Sequence, residues 1–192
     1  ADLGESTLLP PAFACWFAAR GWQARLFQLA LIEAANAGQS VLLTAPTGGG
    51  KTLAGFLPSL IALSGQSAAL SERPLPLVGE DVRGSGNPII QRLKAKAAQR
   101  PRGIHTLYVS PLKALAVDIA RNLEMPVKEM ALKVRIETRT GDTSAHRRQR
   151  QKHLPPDILL TTPEQIALLL ATREAPQLFA QFVNYGDRDA DV

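Results

Sequence analysis

Eight consecutive residues, Ala45-Pro46-Thr47-Gly48-Gly49-Gly50-Lys51-Thr52, have the types and order needed to hold a triphosphate. Glycine lets the backbone take conformations that other residues resist, so successive N–H groups can converge on one anion. A helix starting near Lys51 adds unpaired N–H groups and the positive end of its dipole. Lys51 is then placed to reach the β- and γ-phosphates, and the Thr52 hydroxyl to ligate Mg²⁺. ATP and Mg²⁺ are the expected cofactors, with Lys51 and Thr52 as the residues nearest the chemistry. Ala45 stands where the general pattern has glycine.

Two further junctions, Ser110-Pro111 and Thr162-Pro163, share a design. Each ends an apolar run, offers a hydroxyl as helix N-cap and puts proline at the first helical position. Gln165, three residues after Thr162, completes a capping box. In a parallel sheet the carboxyl ends of the strands share one rim. Helix starts at Lys51, Pro111 and Pro163 are therefore expected to crowd that rim, one serving a nucleotide and two available for other phosphates.

The elements that must position these residues follow from hydrophobic periodicity. Helices are expected over residues 11–20, 26–37, 51–63, 112–123, 144–153 and 163–172. Strands are expected over 40–44, 104–110, 133–139 and 157–161. Residues 64–103 carry Pro74, Pro76, Gly79, Gly84, Gly86 and Pro88 and read as an exposed, increasingly basic insertion with a short helix near 89–98. Strands alternating with helices make this an α/β chain with a mainly parallel sheet covered on both faces. The expected organisation is a helical lead-in over 1–25, an ATP-binding domain over 26–182 and an unrelated tail over 183–192.

The 192 residues suit one domain, and a net charge of +5 favours polyanionic partners. Cys15 is the only cysteine, which excludes an internal disulfide and a cysteine-based metal cluster. The opening residues form no basic n-region, and the most apolar stretch, 53–63, is short for a bilayer and contains Pro58. A soluble, cytoplasmic protein without membrane contact is expected. The helix carrying His146, Arg147, Arg148, Arg150, Lys152 and His153 spreads its charges around its axis and reads as a solvated face.

The phosphate loop matches A-x-T-G-x-G-K-T, a form common in helicases. Ser110-Pro111-Leu112-Lys113-Ala114-Leu115 resembles motif Ia of superfamily 2 helicases, and Thr161-Thr162-Pro163-Glu164 resembles motif Ib. Arg139-Thr140-Gly141-Asp142-Thr143 is similar to the segment between them in large helicase-related proteins. Over residues 9–182, apart from the insertion, the chain most resembles the bacterial ligase-associated DNA damage response DExH-box helicases. That resemblance implies a P-loop NTPase with a RecA-like sheet, ATP-driven translocation on single-stranded or partly duplex DNA, 3′-to-5′ unwinding and a role in repair alongside other repair proteins. It implies that Gln28, 23 residues before Lys51, contacts adenine. It also implies that Ser110, Pro111, Lys113, Gly141, Asp142, Thr162, Pro163 and Glu164 line the DNA path.

Helicases of this type use an Asp-Glu-x-His box, whose acids hold Mg²⁺ and position water. Family spacing puts that box near residues 187–189, where the chain reads Asp187-Arg188-Asp189. An incomplete first motor domain is therefore expected, lacking that box and the second motor domain, with a sheet unfinished on one flank and weak ATP hydrolysis. A non-catalytic nucleotide- or DNA-binding module is the alternative reading. A small-molecule kinase is a third, opposed by the Ser-Pro and Thr-Pro-Glu sequences.

Overall fold

A computed structural model describes residues 8–46, 48–72, 103–180 and 182. Three short parallel strands form the sheet: β1 (Thr106–Val109), β2 (Ile136–Arg139) and β3 (Ile158–Thr161), in the order β1-β3-β2. β3, apolar along most of its length and buried throughout, takes the centre, as a strand covered on both faces must. Its side chains alternate between two cores. Ile158 and Leu160 join the larger, and Leu159 joins the smaller.

The larger core is built by α1 (Pro11–Ala19), α2 (Leu26–Asn36), α3 (Lys51–Glu72) and α4 (Lys113–Glu129). Phe13, Leu57 and Leu60 are completely buried there. Phe56 of α3 meets Tyr108 of β1 with ring centroids 5.6 Å apart, which brings the first turns of α3 against the carboxyl end of β1. The opposite face carries α6 (Pro163–Leu170) and α7 (Ala175–Leu178), through Leu169 and Leu178. On that same face α5 (Ala145–His153) covers β2, with Gln151 Nε2 donating to Glu137 (2.9 Å) and to the Thr138 carbonyl (3.2 Å).

The residues expected as a lead-in do not form a separate layer. Trp16 Nε1 donates to Glu129 at 2.7 Å, Arg20 forms an ion pair with the same carboxylate at 2.5 Å, and α1 is fused to the end of α4. The Arg20 guanidinium also lies over the rings of Trp16 and Trp22, 4.9 and 5.0 Å from their centres.

Four expectations need correction. Residues 40–44 form no strand, and Val41 and Leu42 are exposed. A strand exists through its ladder of backbone hydrogen bonds, and no described segment pairs with this one. The irregular insertion does not begin at residue 64, because α3 continues through Glu72 with Pro58 inside it. α4 is longer than expected and runs past residue 123 to Glu129, with Pro126 near its end. The remaining strands are one to three residues shorter than the runs expected for them. The expected short helix at 89–98 and the tail at 183–192 lie outside the described residues.

Candidate nucleotide and nucleic-acid site

The phosphate loop has the backbone its sequence requires. Gly48 and Gly50 sit at φ +78° and +82°, in the left-handed region where a side chain is strained. Gly49 donates its N–H to the Pro46 carbonyl at 3.2 Å, and a Cβ there would stand 3.0 Å from that oxygen. The first helical bond of α3 runs from Ala54 N–H to Gly50 O at 3.0 Å. Lys51 curls back, its Nζ donating to the carbonyls of Ala45 and Pro46, the latter at 2.9 Å. Among the described residues this ammonium meets two carbonyls and no carboxylate, and a triphosphate offers stronger, charged acceptors. Thr52 is half-buried in the first turn, while Thr47 lies outside the described residues.

Gln28 is buried at the start of α2, and its Oε1 accepts the Arg25 N–H at 2.9 Å. Its Nε2 abuts the loop, 3.4 Å from where a Cβ on Gly50 would lie. The sequence thus brings Gln28 to the loop, in a seat that also braces the helix start.

The three strands end level. Val109, Thr161 and Arg139 are paired across the sheet, so Ser110, Thr162 and Thr140 are the first residues beyond its edge. Ser110 N–H donates to Thr161 O at 3.0 Å, and Thr161 Oγ1 donates to Arg139 O at 2.7 Å, tying the three ends together. Lys113, after β1, and Asp142, after β2, then form an exposed ion pair at 2.7 Å that joins the two outer loops. Thr140 N–H donates to Thr143 Oγ1 (2.9 Å) and Thr143 N–H returns to Thr140 O (3.1 Å), closing the turn that displays Gly141 and Asp142.

The expected caps are only half right. α6 begins at Pro163 with Thr162 at its N-cap, but the Thr162 hydroxyl makes no capping bond and lies beside the Glu164 carboxylate. That hydroxyl, with the backbone N–H of Glu164, holds the carboxyl below its ordinary pKa. Gln165 makes no capping box: its buried Oε1 has no partner. After β1 the helix starts two residues later than expected, at Lys113, and Ser110 instead shares a weak contact of 3.3 Å with Leu112 N–H. Two rigid residues, Pro111 and the extended Leu112, intervene before helical geometry is possible.

The predicted path residues therefore divide by exposure. Ser110, at 1% exposed, and Thr162, at 7%, are internal braces. Pro111, Lys113, Gly141, Asp142, Pro163 and Glu164 face outward. Two residues passed over as functional candidates also belong to this edge, Arg139 and Arg148. The signal for the first was an arginine ending an alternating strand immediately before a Thr-Gly-Asp turn. Among the described residues no group of three or more His, Cys, Asp or Glu could hold a metal ion.

A glycine loop opening a helix, set beside the carboxyl edge of a parallel sheet, defines a P-loop motor domain of the RecA-like type. A family model described as DEAD/DEAH box helicase matches residues 25–184, and the chain belongs to that family. It is 35% identical over 182 residues to the Escherichia coli Lhr helicase/uracil glycosylase, covering 88% of this chain and 10% of that protein. It is 38% identical over 143 residues to the ATP-dependent helicase Lhr-Core protein 2 of Thermococcus barophilus, covering 69% of this chain and 13% of that one. The structure of Mycobacterium smegmatis helicase Lhr bound to ssDNA and AMP-PNP superposes with a TM-score of 0.66 at 29% identity, over 89% of this chain and 19% of the other. The chain thus spans only about a tenth of the length of these curated relatives. No described helix is long and apolar enough to cross a membrane.

Proposed function

We propose that this chain is the ATP-binding part of a DNA helicase, using the glycine loop for Mg-ATP and the carboxyl edge of the sheet for a single DNA strand in the cytoplasm. The observation that carries the reading is the left-handed glycine turn at the start of α3, with the Lys51 ammonium bonded to the Ala45 and Pro46 carbonyls beside it. Lys51 and Thr52 would meet the phosphates and Mg²⁺, with backbone amides from Gly48 to Gly50 around them and Gln28 toward the base. Support for DNA comes from the similar Mycobacterium smegmatis Lhr structure, which is bound to ssDNA and AMP-PNP. A place in DNA repair rests on the resemblance of the motifs alone.

The 192-residue chain contains no Asp-Glu pair. Loss of a positioned general base costs ~10²–10⁴ in rate, so this chain by itself binds Mg-ATP but turns it over slowly. That feature also favours the second reading, a non-catalytic module that holds nucleotide or DNA. Labelled-ATP binding to the parent and to Lys51→Ala tests the loop: binding that survives the substitution refutes the proposal. Vigorous DNA-stimulated ATPase by the same chain refutes the claim of slow turnover and removes the second reading.

A further inference from the structure

β2 lies at one flank of the described sheet and is paired with β3 on one side only. Arg135 O accepts the N–H groups of Asp157 and Ile158, at 3.0 Å each. Successive residues of a parallel strand turn their backbone groups to opposite sides. Arg135, Glu137 and Arg139 therefore address β3, while Ile136 and Thr138 address the open side. The Thr138 carbonyl is covered, because Gln151 Nε2 donates to it at 3.2 Å. Ile136 is different: among the described residues, none bonds its N–H or its carbonyl. A 310 Å³ cavity opens beside it, between β2 and α4, with Val127, Val134 and Ile136 in its lining and Glu124 and Lys128 of α4 alongside.

Strand edges are commonly guarded by charge, and the charges here are arranged to admit one kind of partner. Arg135 and Glu137 flank Ile136 with opposite signs. A second β2, laid antiparallel across a two-fold axis at Ile136, sets Arg135 of each copy opposite Glu137 of the other. The two Ile136 residues then exchange N–H···O bonds. Opposite charges facing each other across a strand pair attract, and like charges repel. Arg135 has no carboxylate partner among the described residues, its Nη2 donating to the Pro155 carbonyl. Glu137 accepts one bond on each oxygen, from Arg150 at 2.7 Å and Gln151 at 2.9 Å, which leaves lone pairs for a further donor. The same axis carries Ile136 of each copy to the other's cavity. It also reverses α4, so that Glu124 of one copy runs toward Lys128 of the other. Both are exposed, and neither belongs to an ion pair between described residues.

We propose that the β2 edge is a self-pairing surface, through which two copies of this chain join their sheets antiparallel about Ile136. A two-fold contact of this kind closes on itself, so assembly stops at two. One pair of four-residue strands is a small interface, and the dimer is accordingly weak and concentration-dependent. The pairing uses neither nucleotide nor nucleic acid and stands apart from the helicase reading.

The test is sedimentation velocity of the whole 192-residue chain carrying Val109→Lys, which guards the other flank of the sheet. A single monomer–dimer equilibrium is expected, weakened by added salt. Arg135→Glu, which sets acid against acid across the axis, is expected to remain monomeric at concentrations where the Val109→Lys chain is half dimer. Cross-linking fixes the register, and decides if Arg135→Glu does not fold. With Cys15→Ser removing the one native thiol, Ile136→Cys is expected to give a disulfide-linked dimer on oxidation, because residues paired at such an axis have Cα atoms about 5.5 Å apart. Val134→Cys, which falls opposite Thr138 of the other copy, gives none. A chain that stays monomeric, a dimer indifferent to Arg135→Glu, or cross-linking through Val134→Cys and not through Ile136→Cys overturns the proposal.

Discussion

Gly50 and Glu164 show how single residues set the two halves of the site. At φ +82° a side chain on Gly50 incurs the left-handed penalty, ~1–2 kcal/mol, and its Cβ would stand 3.4 Å from Gln28 Nε2. Gly50→Ala is therefore expected to lower stability by about that amount in urea denaturation, and to weaken ATP binding as the amide cradle deforms. Gln28→Ala should lower the preference for ATP over GTP in competition binding, if the side chain reads the base. Glu164 is a cleaner probe of the sheet edge. Its folded pKa is depressed, so its contribution is fully present above the ordinary carboxylate range and is lost as pH falls through the lowered value. A carbon-detected NMR titration should find that depressed value, and Thr162→Val should return it toward normal. An ordinary Glu164 pKa in the parent would show that the hydroxyl bond does not form in solution.

Elements are held by apolar contact far more than by surface charge. Phe13 anchors α1 and is completely buried, so Phe13→Ala should cost ~3–5 kcal/mol, whereas Glu129→Ala, which removes the partly exposed carboxylate shared by Trp16 and Arg20, should cost clearly less. Urea midpoints of the two variants check the order. The helices were legible because an amphipathic stripe is local information: α1, α2, α5 and α6 lie within one or two residues of their periodic stretches. Strands were less so. The apolar run at 40–44 looks like a strand, but its existence depends on a partner elsewhere in the chain, and no described segment supplies one. Caps failed for a related reason. Thr162 had a choice between the first-turn N–H of Gln165 and the carboxylate of Glu164, and spacing alone cannot rank the two. The turn at Gly48 and Gly50 was legible, because a positive φ is written in residue type. The burial of Arg139 was not, because charge argues for exposure and only the three-dimensional sheet places that side chain under α5.

On the scale of the whole molecule, the described sheet has an open side along β1, where Val109 is exposed next to unpaired backbone groups. Such edges template association. The 192-residue chain is expected to self-associate with rising concentration in sedimentation velocity, and Val109→Lys to reduce it; an unchanged variant would place the sticky surface elsewhere. The other consequence concerns the level ends of the three strands. Reading along them gives Ser110 and Lys113 on the left, the Thr162–Glu164 couple in the middle, and the two arginines on the right. That row has no mirror symmetry. A polymer with unlike termini, were it laid across this edge as proposed, would meet those groups in a different order when turned end for end.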